Sequence, residues 1–102
     1  MSRPYSAKFL IQLSNSDSDK VGIQLARLCV DANLPAKGIA DHFGVSRMAV
    51  HGWFRGKYIR EKTCIKIQKF LNVVRADLEL GTLPAKSIPL AKKWLKDIED
   101  DN

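Results

Sequence analysis

Apolar residues recur every three or four positions along most of this chain, a spacing that predicts an all-α protein. Five such stripes predict helices over about residues 20–32, 36–43, 46–55, 60–80 and 89–100, and no segment calls for a strand. Asn33, Gly44, Gly56 and Gly81 follow four of the predicted helices, where the left-handed backbone that ends a helix favours glycine or asparagine. The pattern therefore predicts a compact five-helix domain preceded by a short N-terminal arm.

The same pattern divides the chain into three parts. Residues 1–18 are expected to be an N-terminal arm and polar linker, in which the apolar run at 9–13 fits a short helix, a strand or a docking arm. Residues 19–82 hold four of the helices, the first capped by Ser18 or Asp19. Residues 83–102 hold the last helix, with Pro89 in its first turn.

The stretch from Ala36 to Gly56 contains the most informative local pattern. Ile39, Ala40 and Phe43 lie on one helical face, Gly44 interrupts the helix, and Ser46 is a good N-cap for the next one. The second helix turns Val50 and Trp53 inward, whereas its other face carries Arg47, Met48, His51, Gly52 and Arg55. Two short helices joined by a glycine turn, the second basic and polar outside, predict a helix-turn-helix.

The run Gly-Val-Ser-Arg-x-x-Val-x-x-Trp-x-x-Gly, from Gly44 to Gly56, resembles the lambda-repressor/Cro-like (XRE-type) DNA-binding family. The resemblance extends weakly over residues 20–75 and implies that the second helix enters the DNA major groove. Pro35 and Ala36 depart from the family, which usually has a Thr-Gln pair there whose Gln reaches DNA. Met48 and Gly52 replace longer polar readers, so the resemblance does not give the target sequence.

Charge is concentrated in the same region. The chain has a formal net charge of +6, and residues 35–69 carry eight basic side chains against two acidic ones. The segments on either side are nearly balanced. A solvated basic surface would look the same in isolation, but its position in and just after the helix-turn-helix favours a face that binds a polyanion.

These patterns assign candidate roles to individual residues. Candidates for reading bases are Arg47, Met48, His51 and Gly52, and candidates for binding phosphates are Lys37, Ser46, Arg55, Lys57 and Arg60. Each candidate base reader also has an alternative role. Arg47 could contact a phosphate or solvent, and His51 could be an ordinary exposed histidine. Met48 could simply fill space, and Gly52 could be required for tight packing. Trp53 is expected in the core, and the pattern does not place Phe54.

The C-terminal third holds more apolar residues than a minimal domain of this kind must bury. Small DNA-reading domains usually pair, because one helix makes too few base contacts. The 3–4 spacing in residues 64–78 fits either core packing, which is favoured, or a pairing helix. A homodimer interface is expected at Leu78, Leu83, Leu90, Trp94, Leu95 and Ile98.

Other functions find little support in the sequence. The chain shows no Gly-rich phosphate loop, nucleophile elbow, HExxH or zinc-like Cys/His spacing, so no enzyme, metal or cofactor is expected. It has no run long enough to span a membrane and no signal peptide. The sequence predicts a cytoplasmic regulator, bacterial or phage-encoded, that binds double-stranded DNA and most simply represses transcription. The alternative is a protein-interaction module, such as a phage-type polymerase-binding protein or an antitoxin, which exposure of Met48 and Phe54 would favour. An RNA-binding role is a weaker third possibility, because no aromatic stacking platform is visible.

Overall fold

A computed structural model describes residues 5–14 and 20–100 and contains six α-helices and no strand within them. The predicted all-α class is therefore confirmed, with one helix more than the five expected. The helices are α1 Ala7–Ser14, α2 Val21–Ala32, α3 Ala36–Phe43, α4 Arg47–Phe54, α5 Glu61–Leu80 and α6 Ile88–Asp100.

Left-handed residues end three of these helices, as predicted, whereas the C-cap of α4 is Arg55 with a φ of −91°, one residue before the expected Gly56. Asn33 after α2, Gly44 after α3 and Gly81 after α5 have φ angles of 58°, 69° and 83°. Asparagine and glycine tolerate this backbone best. The start of α2 differs from the prediction, because Lys20 occupies the N-cap position without a capping side chain. The predicted caps, Ser18 and Asp19, lie outside the described residues.

The core lies around α2, which packs against α1, α4 and α5, while α3 packs against α4 and α6. Its fully buried members include Leu25, Ile39 and Val50. On α5, Ile67, Leu71 and Val74 are buried too, so the 3–4 spacing of that helix serves core packing.

The N-terminal segment is a docked helix. The Tyr5 hydroxyl donates a hydrogen bond of 2.6 Å to the Leu34 carbonyl oxygen. Burial raises the pKa of Tyr5, which keeps the hydroxyl protonated as the donor. The rings of Tyr5 and Phe9 lie 6.1 and 6.0 Å from that of Phe54. Of the three possibilities for residues 9–13, the helix is correct, and it covers the end of α4.

The C-terminal segment is joined to the core by polar and apolar contacts. The Asn33 amide donates to the Ala85 carbonyl oxygen at 2.7 Å, and the Ala85 N–H donates to the Ala32 carbonyl oxygen at 2.9 Å. Farther on, the Trp94 indole N–H donates to the Asp77 carboxylate at 2.7 Å. Helix α6 thus completes the core of the protomer.

This packing corrects the predicted subunit interface. Leu83, Trp94 and Leu95 are only 1%, 8% and 4% exposed within one protomer. Helix α6 packs on α3, the Trp94 indole reaches Asp77 of α5, and Leu83 lies in the connection before α6. Their assignment to a homodimer interface is wrong. Leu78 and Ile98 are half-buried against the same core, and Leu90 is exposed. Most of the excess apolar residues in the C-terminal third are therefore buried by the packing of α6 within the protomer.

Candidate nucleic-acid interface

Helices α3 and α4 pack against each other across the short turn at residues 44–46. Gly44 adopts the left-handed conformation, and the N–H of Val45 donates to the Ala40 carbonyl oxygen at 3.0 Å. The Ser46 hydroxyl accepts the N–H of Ala49 at 3.1 Å, which caps α4 as predicted. This local chemistry fixes the start of α4 and hence the direction of its side chains.

The inner face of α4 is tightly packed. Val50, Trp53 and Phe54 are buried, so the prediction for Trp53 is confirmed. Gly22 of α2 lies directly against this helix: a Cβ atom there would collide with the Trp53 carbonyl group, 2.8 Å from its carbon. Sequence reasoning missed this contact, because a glycine near a helix start gives no sign of what approaches it.

The outer face of α4 holds three of the predicted base-reading side chains. Arg47 is exposed and Met48 is 84% exposed, one position apart in the first turn. His51 follows one turn after Arg47 and is half-buried, with its ring 6.1 Å from that of Phe54. Arg55 continues the same row at the helix end and is exposed. The row can offer cationic, apolar and neutral hydrogen-bonding groups to one partner.

The environment of His51 keeps its ring neutral. Partial burial lowers the pKa of His51 below its ordinary value near 6.5, and the positive charges of Arg47 and Arg55 lower it further. At pH 7 one ring nitrogen therefore donates and the other accepts a hydrogen bond. A neutral ring can donate one hydrogen bond to a phosphate or a base edge, and its other nitrogen can accept one from a base edge.

Gly52 does not belong to this exposed row. It is buried, and a Cβ atom there would lie 3.2 Å from Cδ of Lys57. The Lys57 N–H also donates to the Gly52 carbonyl oxygen at 3.0 Å. The prediction of base reading by Gly52 is thus wrong, because the chain folds back and the Lys57 stem covers the glycine. Gly52 lies beneath the Lys57 side chain and not on the exposed face.

The predicted phosphate-binding residues are all exposed and lie at helix ends or in the connection from α4 to α5. Lys37 is in the first turn of α3, and Ser46 and Arg55 flank α4. Lys57 and Arg60 lie in the connection to α5. Two further residues of this region were missed: Lys20, whose ammonium donates to the Gly56 carbonyl oxygen at 3.1 Å, and Tyr58, which is 87% exposed. Exposure of Tyr58 depends on the loop path, which spacing along the sequence does not reveal.

Burial of Phe54 removes a feature that would favour a protein-binding role. Exposure of both Met48 and Phe54 would have favoured it, but Phe54 is 3% exposed beneath α1. Met48 alone remains an exposed apolar side chain on α4. An isolated exposed apolar residue is ordinary on a protein surface.

No protein-family model, no curated protein and no solved structure matches this chain. None of the helices in residues 5–14 and 20–100 combines the length and apolarity needed to cross a membrane. Within those same ranges no three His, Cys, Asp or Glu side chains come together as a potential metal site. The candidate site is therefore the surface formed by α3, α4 and the α4–α5 connection.

Proposed function

We propose that this chain is a sequence-specific regulator of transcription that binds double-stranded DNA through α4, most simply as a repressor. The observation that carries the proposal is the row Arg47, Met48 and His51 on the outer face of a helix whose opposite face is buried. A helix fixed in this way presents its side chains as a rigid set to the major groove.

Each side chain of the row suits a different feature of a base pair. The Arg47 guanidinium can donate two hydrogen bonds to O6 and N7 of a guanine, worth roughly 1–3 kcal/mol of discrimination. Met48 offers an apolar surface to a thymine methyl group. Neutral His51 can donate to or accept from a base edge. Together they define a short half-site of a few base pairs.

The basic side chains around α4 supply the contacts that are independent of sequence. Lys37, Arg55, Lys57 and Arg60 are exposed on helix ends and the adjoining connection, where they suit phosphates of both strands. The uncommitted N–H groups at the start of α4, next to Ser46, suit a further phosphate. Such contacts position α4 in the groove and supply most of the affinity at low salt.

The proposed functional unit is a homodimer on an inverted repeat, in the cytoplasm of a bacterium or of a phage-infected cell. Two copies of α4 would then lie about one helical turn, roughly 34 Å, apart. Sedimentation of the full chain with and without the selected duplex tests this. Two protomers per duplex are expected, whereas saturation at one protomer would restrict the proposal to a monomeric reader.

Selection of bound fragments from random duplex DNA tests the proposal and gives the site. With the selected duplex, Arg47→Ala should lose preference at one base position of each half-site. The matched change Arg60→Gln should weaken all duplexes alike and reduce the salt dependence. Failure to enrich any sequence would overturn the proposal of sequence-specific binding.

A further inference from the structure

Helix α5 carries a second apolar stripe, on the side that faces away from the core. Ile65, Val73 and Leu80 are 49%, 39% and 78% exposed, and Ala76 is exposed as well. At 3.6 residues per turn these four side chains and Lys69 fall within an arc of roughly 80°, opposite the buried stripe of the same helix. We call these five residues the outer stripe.

The outer stripe is nearly symmetric about the point between residues 72 and 73. Ile65 and Leu80 lie equally far from this point on either side, and so do Lys69 and Ala76. An antiparallel second copy of α5 centred there would place Ile65 opposite Leu80, and Lys69 opposite Ala76. A parallel copy would instead place Lys69 opposite its own counterpart, which like-charge repulsion disfavours. The outer stripe is therefore complementary to itself in the antiparallel orientation.

The charges along α5 favour the same orientation. Residues 61–70 carry three lysines and one glutamate, whereas residues 71–80 carry two acidic side chains and one arginine. Antiparallel pairing lays the basic half of each copy along the acidic half of the other, with Lys66 and Asp77 on the same edge of the stripe. The Asp77 carboxylate accepts the Trp94 indole N–H and has further lone pairs for an ammonium group. Exposed ion pairs add little affinity, so these charges mainly set the orientation.

We propose that a second copy of this chain docks antiparallel on the outer stripe of α5. The inference rests on the homodimer of the proposed function and gives it an interface in place of the buried face of Trp94 and Leu95. Its test needs no DNA, so the two proposals can fail separately. Each copy contributes three large apolar side chains, which makes a small contact. The expected dimer is therefore weak, with a Kd in the micromolar range.

Sedimentation of the full chain without DNA, over a range of protein concentrations, tests the dimer. Val73→Glu places two like charges at the centre of the contact and should raise the Kd by about 10-fold or more. Leu90→Gln is the matched control, because Leu90 lies on α6 and is as exposed as Ile65, at 49%. It should leave the Kd unchanged. Both positions are exposed and both new residues suit a helix, so circular dichroism should show folded proteins.

Cross-linking tests the antiparallel orientation. Ile65→Cys and Leu80→Cys are made in a Cys64→Ser background, because Cys64 is a half-buried free thiol next to Ile65, whereas Cys29 is buried. A short bifunctional thiol reagent should join the two variants to each other when they are mixed. Neither variant alone should form a cross-linked dimer, since each residue lies opposite the other and not opposite its own counterpart.

Several results would overturn the inference. They are a wild type that stays monomeric at every concentration, a Val73→Glu dimer as tight as the wild type, no cross-link in the mixture, or self-linking of Leu80→Cys. A dimer weakened by Leu90→Gln alone would place the interface on α6. Sequence-specific duplex binding by a monomeric chain would leave the DNA-reading part of the proposed function intact. A dimer that depends on Val73 but binds no duplex would instead remove the proposed function and keep this interface.

Discussion

Replacing Gly22 by alanine probes how α4 is held against α2. The new Cβ atom would meet the backbone carbonyl group of Trp53, which cannot rotate away, so one of the two helices must move. Gly52→Ala is the matched control. Its Cβ atom would lie 3.2 Å from Cδ of Lys57, and that exposed, flexible side chain can shift.

The two substitutions should therefore have opposite effects on stability. Alanine is better than glycine by about 1 kcal/mol in a helix interior, whereas forcing an atom into a packed contact costs about 1–3 kcal/mol. For Gly22→Ala the backbone collision places the cost at the upper end, leaving a net loss of about 1–2 kcal/mol. In a domain of this size that lowers Tm by about 4–16 °C. Gly52→Ala should leave Tm unchanged or raise it by up to about 8 °C.

Thermal unfolding followed by circular dichroism, at equal protein concentration and salt, measures both variants. Equal shifts of Tm for the two variants, or a Gly22→Ala protein at least as stable as the wild type, would refute the close approach of α2 and α4. The exposed side chains Arg47, Met48 and His51 would then lack the rigid support assigned to them.

Other consequences can be measured separately. Phe54→Ala should cost about 3–5 kcal/mol in the free energy of unfolding because the ring is buried, whereas Met48→Ala should be near neutral; similar losses in denaturant titrations would contradict this. Trp94→Phe, which removes the indole hydrogen bond, should lower the free energy of unfolding without changing the sedimentation of the folded chain; a selective loss of a dimer would restore Trp94 to an interface. The His51 ring should titrate below pH 6.5 by NMR, and Arg47→Gln should raise that midpoint. Since the folded-state pKa is lowered, the His51 contribution should destabilise the fold as the pH falls through 6.5; a midpoint at or above 6.5 would contradict this account.

Helix positions and helix ends were predictable from the sequence because they depend on local chemistry. The stops at Asn33, Gly44 and Gly81 and the Ser46 cap each need only a residue type and its neighbours. The buried stripe of α5 followed from spacing alone. These features are set within one or two helical turns, where residue type and periodicity carry the information.

The partners of each helix were less predictable because long-range contacts leave no local pattern. Phe54 could not be placed until α1 was seen to cover it, and α1 lies about 45 residues earlier in the chain. An apolar face such as that of Trp94 and Leu95 has the same sequence pattern whether it packs against its own core or against a second subunit. Gly52 was wrongly predicted to be exposed for a related reason. The sequence assigned it to the correct face of the helix, but it did not show that Lys57 folds back over that position.

The central claim is that the exposed face around α4 binds duplex DNA, and the salt dependence of that binding tests it most directly. If about six basic groups meet phosphates, log affinity for the selected duplex should fall with log salt at a slope of roughly −5 or steeper. A slope near zero, or no binding of any duplex at low salt, would contradict the account.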